Sequence, residues 1–147
     1  MSDRDPFGSL SPPTRAALVE RLGDLRHDLG KYVSMQLRWS ADDPASLREA
    51  LLADLLATRR GASGVADAAE VWEGYAPELR GERALSTGDR VDLRGCAEFD
   101  RLAAEMDEIR RAIGALRSDG ALDLGRAAEA ARAVTETCRA LWQRARE

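Results

Sequence analysis

The chain is poor in the residues from which metal centres, disulfide scaffolds and nucleic-acid surfaces are built. It has two cysteines, one histidine and, among 22 basic residues, a single lysine. With one imidazole and no cysteine near it, a His- or Cys-based metal site has too few ligands. Cys96 and Cys138 lie on separate predicted helices and form neither a paired redox motif nor a metal knuckle. They read as small buried apolar side chains. If the last two helices turn near Gly120, the cysteines stand roughly six residues, about 9 Å, out of register, beyond disulfide reach. A basic excess is also missing: the net charge is −4. That argues against nucleic acid or an anionic membrane surface as a partner, since both require neutralisation of phosphates. No segment approaches the roughly 20 apolar residues of a membrane span, and residues 1–6 have no apolar stretch of signal-peptide length. A soluble cytoplasmic protein is the expectation.

Helical periodicity is what the chain has in abundance. Residues 1–10, broken by Pro6 and Gly8, read as a flexible N-terminal arm, and residues 11–147 as a single helical-bundle domain. Ser11-Pro12-Pro13 supplies an N-cap and first-turn prolines, opening a helix to about Ser40 with the seam Leu18, Leu22, Leu25, Leu29, Tyr32, Gln36, Trp39. Asp43-Pro44 opens a second helix to about Arg60, with Leu47, Leu51, Leu52, Leu55 and Leu56 on its apolar face. A shorter helix from Val65 to about Gly74 carries Trp72, and Pro77, Gly81 and Gly88 make residues 76–91 an irregular connection. Phe99, Leu102, Met106, Ile109, Ile113 and Leu116 define a helix from about Leu93 to Arg117. Ala127, Ala131, Val134, Cys138, Leu141 and Ala145 define a last one from about Leu124 to Arg144, with Asp123 as cap. The expected fold is all-α: an antiparallel four-helix bundle with an additional short helix.

The lone histidine and the lone lysine, His27 and Lys31, are four residues apart and so share one face of the first helix. At 100° per residue, His27 lies roughly 140–160° from its nearest seam residues. Asp24, Asp28, Gly23, Gly30 and Ser34 are its neighbours on the helix. Each interior glycine costs about 0.5–1 kcal/mol relative to alanine, so a pair of them beside one imidazole calls for a reason. Three readings of this face are open. In the first, Gly23, Gly30 and Ser34 admit a partner's surface, and the neutral imidazole of His27 is a nucleophile. Asp28 or Asp24 then orients its ring, and Lys31 neutralises phosphoryl oxygens. In the second, Asp24, Asp28 and Lys31 are a solvated ion-pair face. In the third, the glycines let a helix of the same chain pack closely and bury His27.

At these residues the chain resembles the histidine phosphotransfer and histidine-kinase dimerisation modules of two-component signalling. His27-Asp28 is similar to the His-Asp/Glu pair of the phospho-acceptor helix. The resemblance implies a phosphorelay intermediate: His27 accepts a phosphoryl group from, or returns it to, a receiver-domain aspartate, with Asp28 as its acidic neighbour. The partner would then be a receiver-domain protein, with homodimerisation open. No cofactor is implied for this chain, because the magnesium belongs to the receiver. Gly30-Lys31 reverses the Lys-Gly order usual in monomeric phosphotransfer domains, and the chain lacks asparagine with which to match a kinase nucleotide-binding motif. Self-sufficient kinase activity is therefore not expected, and whether the chain is itself an enzyme stays open. The alternative function is a non-enzymatic adaptor or dimerisation module that uses a bundle face.

Overall fold

A computed structural model describes residues 3–32, 43–59, 65–118 and 124–147. These residues form five helices: α1 (Pro12–Tyr32), α2 (Pro44–Arg59), α3 (Val65–Leu79), α4 (Ala97–Arg117) and α5 (Leu124–Arg146). The all-α class is as the periodicity predicts; the only β pairing among the described residues is an isolated bridge between Arg80 and Asp92. No helix among them is long and apolar enough to cross a membrane.

Local chemistry starts the helices. Ser11 Oγ accepts the Thr14 backbone N–H (3.4 Å), and Asp43 accepts the Ala45 N–H (3.2 Å) and the Ser46 hydroxyl (2.6 Å). Each cap satisfies an N–H that the helix itself leaves unpaired. The predicted seams then go inward. Leu18, Leu22, Leu25 and Leu29 of α1 and Cys138 and Leu141 of α5 are fully buried, alongside Trp72, Phe99, Leu102 and Met106. Trp72 and Phe99 meet with ring centroids 5.9 Å apart. Gln36, Trp39, Ser40 and Asp123 lie outside the described residues.

Two boundaries differ from expectation. α3 does not stop near Gly74 but runs through Pro77 to Leu79. A proline there deprives the Glu73 carbonyl of its partner, and Glu73 is exposed, so water can take the place of the lost N–H. α4 begins at Ala97 rather than near Leu93, because Gly95 has φ +93°, a left-handed conformation no helix accommodates. The connection between α3 and α4 is irregular yet anchored: Leu85, Val91 and Leu93 are buried, and the Leu93 N–H donates to the Leu79 carbonyl (2.8 Å).

Residues 3–10, read from sequence as a loose arm, dock on the helices. Phe7 enters the core, and the Arg4 N–H donates to the Gly95 carbonyl (2.8 Å). Cys96, the residue at the α4 N-cap, makes no side-chain cap bond; Asp3 serves instead, accepting the Ala97 N–H at 2.9 Å. An anion at a helix N-terminus is favoured there by the helix dipole as well.

α5 runs antiparallel to both α1 and α4. Against α1, Arg15 pairs with the Ala145 carbonyl and Gly23 meets Trp142. Against α4, Glu98 pairs with Arg144, Glu105 with Thr137 and Glu108 with Arg126. The Glu105 contact is imperfect: the Thr137 hydroxyl donates to Oε2 (3.0 Å), while Oε1 is buried with no hydrogen-bond partner.

Burial raises the Glu105 carboxyl, and the Thr137 hydroxyl and Arg101 recover only part of that shift. The folded state therefore keeps this proton to higher pH than the unfolded chain, so stability falls as pH rises through the interval between the two pKa values. Urea unfolding should show Glu105→Gln, which cannot titrate, gaining stability relative to wild type between pH 4 and pH 7; a gap that shrinks over that range contradicts the assignment. Cys96 and Cys138 are both free and buried. Thiol counting should find two reactive thiols in denaturant and slow reaction of either in the native protein.

Candidate functional site

The side chains of α1 that lie off its seam divide between two sides. Arg21 and Asp28 turn toward α3, and Gly23, Arg26, His27, Gly30 and Lys31 border an open groove shared with α5. The groove has a volume of about 600 Å³, and Thr135, Glu136 and Arg139 form its α5 wall.

His27 is exposed on α1, off the Leu22-Leu25-Leu29 seam as its position on the helical wheel requires. Burial of its ring against a second helix of this chain is thereby excluded. No hydrogen bond to the imidazole is present among the described residues. Asp28 in particular does not orient it: Oδ2 of Asp28 accepts the Tyr75 hydroxyl (2.5 Å), and Oδ1 lies 3.6 Å from Lys31 Nζ. Consecutive helix residues are about 100° apart and do not face each other, which sends Asp28 to the α3 side while His27 faces α5. Asp24 is exposed and close enough to Tyr75 to oppose its ionisation. Burial first, and then the Asp28 carboxylate, push the Tyr75 phenol up to about 12, so it remains a hydrogen-bond donor at neutral pH. Arg21 completes this side, its guanidinium 4.0 Å from the centroid of the Tyr75 ring and bonded to both oxygens of Glu78 (2.8 and 3.2 Å).

The two glycines have different roles. A Cβ on Gly23 would lie 3.2 Å from Trp142 Nε1, so Gly23 is where α1 and α5 approach each other and its reason is internal packing. At Gly30 a Cβ would meet nothing within 4 Å, which leaves that side of the imidazole open. Ser34 lies outside the described residues.

Arg139, on α5, is the basic residue of the groove that single-helix reasoning does not find; Arg26, next to His27 on α1, is a further one the sequence reading did not single out. Arg139 is exposed and makes no hydrogen bond or ion pair among the described residues; Arg26 stacks on Trp142, 4.9 Å from the ring centroid. Only the antiparallel pairing of α1 with α5 brings Arg139 to His27, and the available signal was the spacing of Thr135 and Arg139 along the polar flank of the α5 seam.

A second group of polar side chains lies at the other end of α5. Ligand atoms of Asp3, Cys96 and Glu98 lie within 4.8 Å of one another. Arg144 Nη1 already stands among them, 2.9 Å from Asp3, 2.5 Å from Glu98 and 3.4 Å from Cys96 Sγ. The guanidinium supplies the positive charge a metal would bring, which identifies this cluster as the clasp of the N-terminal segment.

Comparison of the chain with protein-family models, with characterised proteins and with solved structures found no match.

Gly23 and Gly30 should respond oppositely to substitution. Gly30→Ala should stabilise the protein by about 0.5–1 kcal/mol through helix propensity. Gly23→Leu should destabilise it by about 1–3 kcal/mol through overpacking against Trp142. Denaturant midpoints at constant m-value would check both.

Proposed function

We propose that the protein is a histidine phosphotransfer intermediate, with His27 as acceptor and donor and a receiver-domain protein as its partner in the cytoplasm. The observation that carries this reading is the exposure of the chain's only imidazole on α1, in an open groove that it shares with Arg26, Lys31 and Arg139. A neutral imidazole on a rigid helix is a competent nucleophile at cytoplasmic pH. The open side at Gly30 leaves room for a receiver surface to approach in line. In the forward step the ring nitrogen carrying the lone pair attacks phosphorus, the aspartyl O–P bond breaks, and the receiver carboxylate leaves. The proton on the other ring nitrogen stays in place. Lys31 is held only at 3.6 Å by Asp28 and is more than half exposed, so its ammonium is free to move to the phosphoryl oxygens.

In this reading the antiparallel helices are the bundle scaffold of a relay module, and Asp28 is a structural residue that ties α1 to α3 through Tyr75.

Label transfer from phosphorylated receiver domains tests the proposal. His27→Gln should abolish acid-labile, base-stable labelling and leave the circular dichroism unchanged. Lys31→Ala should slow transfer by roughly 10- to 1,000-fold, by analogy with the loss of one oxyanion donor. Equal behaviour of wild type and His27→Gln against every receiver would replace this reading with that of a non-enzymatic adaptor.

A further inference from the structure

We infer that the α1–α5 groove is a two-helix oxyanion clamp, in which Arg139 from α5 and Arg26 and Lys31 from α1 bind a dianionic phosphate group beside His27. The identity of the ligand as a phosphoryl group rests on the proposed role of His27; the cation arrangement does not.

Charge segregation is the first argument. The chain is net acidic, yet three cations line this groove with one carboxylate, Glu136, while Asp28 lies 3.6 Å from Lys31 at its border. Cations brought together on one surface repel unless an anion joins them. Some arginines of the described surface are held by acids, Arg21 by Glu78 and Arg110 by Glu73 among them. Within the groove Arg139 makes no ion pair among the described residues, and Arg26 has the face of Trp142.

Preorganisation is the second. Arg26 is not a loose surface side chain, because Trp142 is itself fixed on both sides, with Gly23 against its Nε1 edge and Arg146 4.3 Å from its ring centroid. A guanidinium stacked on an aromatic ring keeps its in-plane N–H donors available, and such donors match the oxygens of a phosphate. Thr135 on the facing wall is a further polar residue of the lining. The groove volume of about 600 Å³ exceeds what one phosphate fills, which leaves room for the rest of a phosphorylated partner.

Two sources can supply this chemistry, a free phosphate ion or a phosphoryl group on His27, and two measurements separate them. Calorimetric titration of the full chain with inorganic phosphate reads the clamp directly. Wild type and His27→Gln should both bind saturably, Arg139→Gln should weaken binding by about tenfold, and Arg139→Lys should recover part of the loss. Glu136→Gln should tighten binding severalfold by removing the one carboxylate of the lining, an effect that a merely structural role for Arg139 or Glu136 would not produce. Phosphoramidate then labels histidine without a partner: a ring nitrogen of His27 attacks phosphorus, the P–N bond breaks, and the nitrogen leaves as ammonia. Wild type should take one phosphoryl group, and Arg139→Gln should take it about tenfold more slowly. No saturable phosphate binding to wild type, or identical affinities across the Arg139 and Glu136 variants, overturns the clamp even if His27 is labelled. Phosphate binding that follows the predicted order without any label on His27 upholds the clamp and removes the phosphotransfer reading.

Discussion

The close approach of α5 to its neighbours is the constraint from which the rest of the molecule follows. Its buried face is built mainly of small side chains, Ala127, Ala128, Ala130, Ala131, Val134 and Cys138, widening only at Leu141. Small residues let helix axes come near one another, and the ridges of α1 and α4 supply the bulk in return, with Leu18, Leu22, Leu25 and Leu29 on one side and Phe99, Leu102 and Met106 on the other. Gly23 continues the same rule at the α1 contact, where a Cβ would lie 3.2 Å from Trp142 Nε1. Packing of α5 against α1 sets the backbone positions on both sides of the groove between the two helices.

Polar joints fix the two ends of this arrangement. At one end Arg144 gathers Asp3 and Glu98 and lies over Phe7, its guanidinium 5.8 Å from the ring centroid, so the N-terminal segment closes over the start of α4. Nearby, the buried Thr14 is satisfied by Asp89 (2.5 Å) and Thr87 (3.2 Å), which pins the irregular connection to the first turn of α1. Across the α1–α3 joint Arg21, Tyr75, Glu78 and Asp28 share one network. His27 takes no part in any of these joints.

Much of the fold was legible along the chain because its determinants are local. The caps at Ser11 and Asp43, the leucine seam of α1 and the alanine-rich seam of α5 depend only on side chains within a turn or two of each other. The errors fall where a distant partner decides. Pro77 reads as a breaker until the exposure of Glu73 shows that its freed carbonyl can be solvated. Leu93 fits the helical pattern of α4 yet pairs with the Leu79 carbonyl instead, because Gly95 turns the chain between them. The N-terminal segment, polar and broken, gives no local reason to dock; the reason is Arg144, near the opposite end of the chain.

The candidate site divides the same way. The sequence alone determined that His27 is off the core seam of α1 and shares a face with Lys31, since both facts follow from the angle between successive helix residues. Tertiary structure decided everything that involves a second helix. It assigned Gly23 to internal packing and Gly30 to open space, turned Asp28 toward Tyr75, and set Arg139 across the groove from the imidazole. Helical periodicity specifies how each helix presents its faces. Which helix a given face meets, and at what register, depends on the fit of surfaces assembled from residues far apart in the chain.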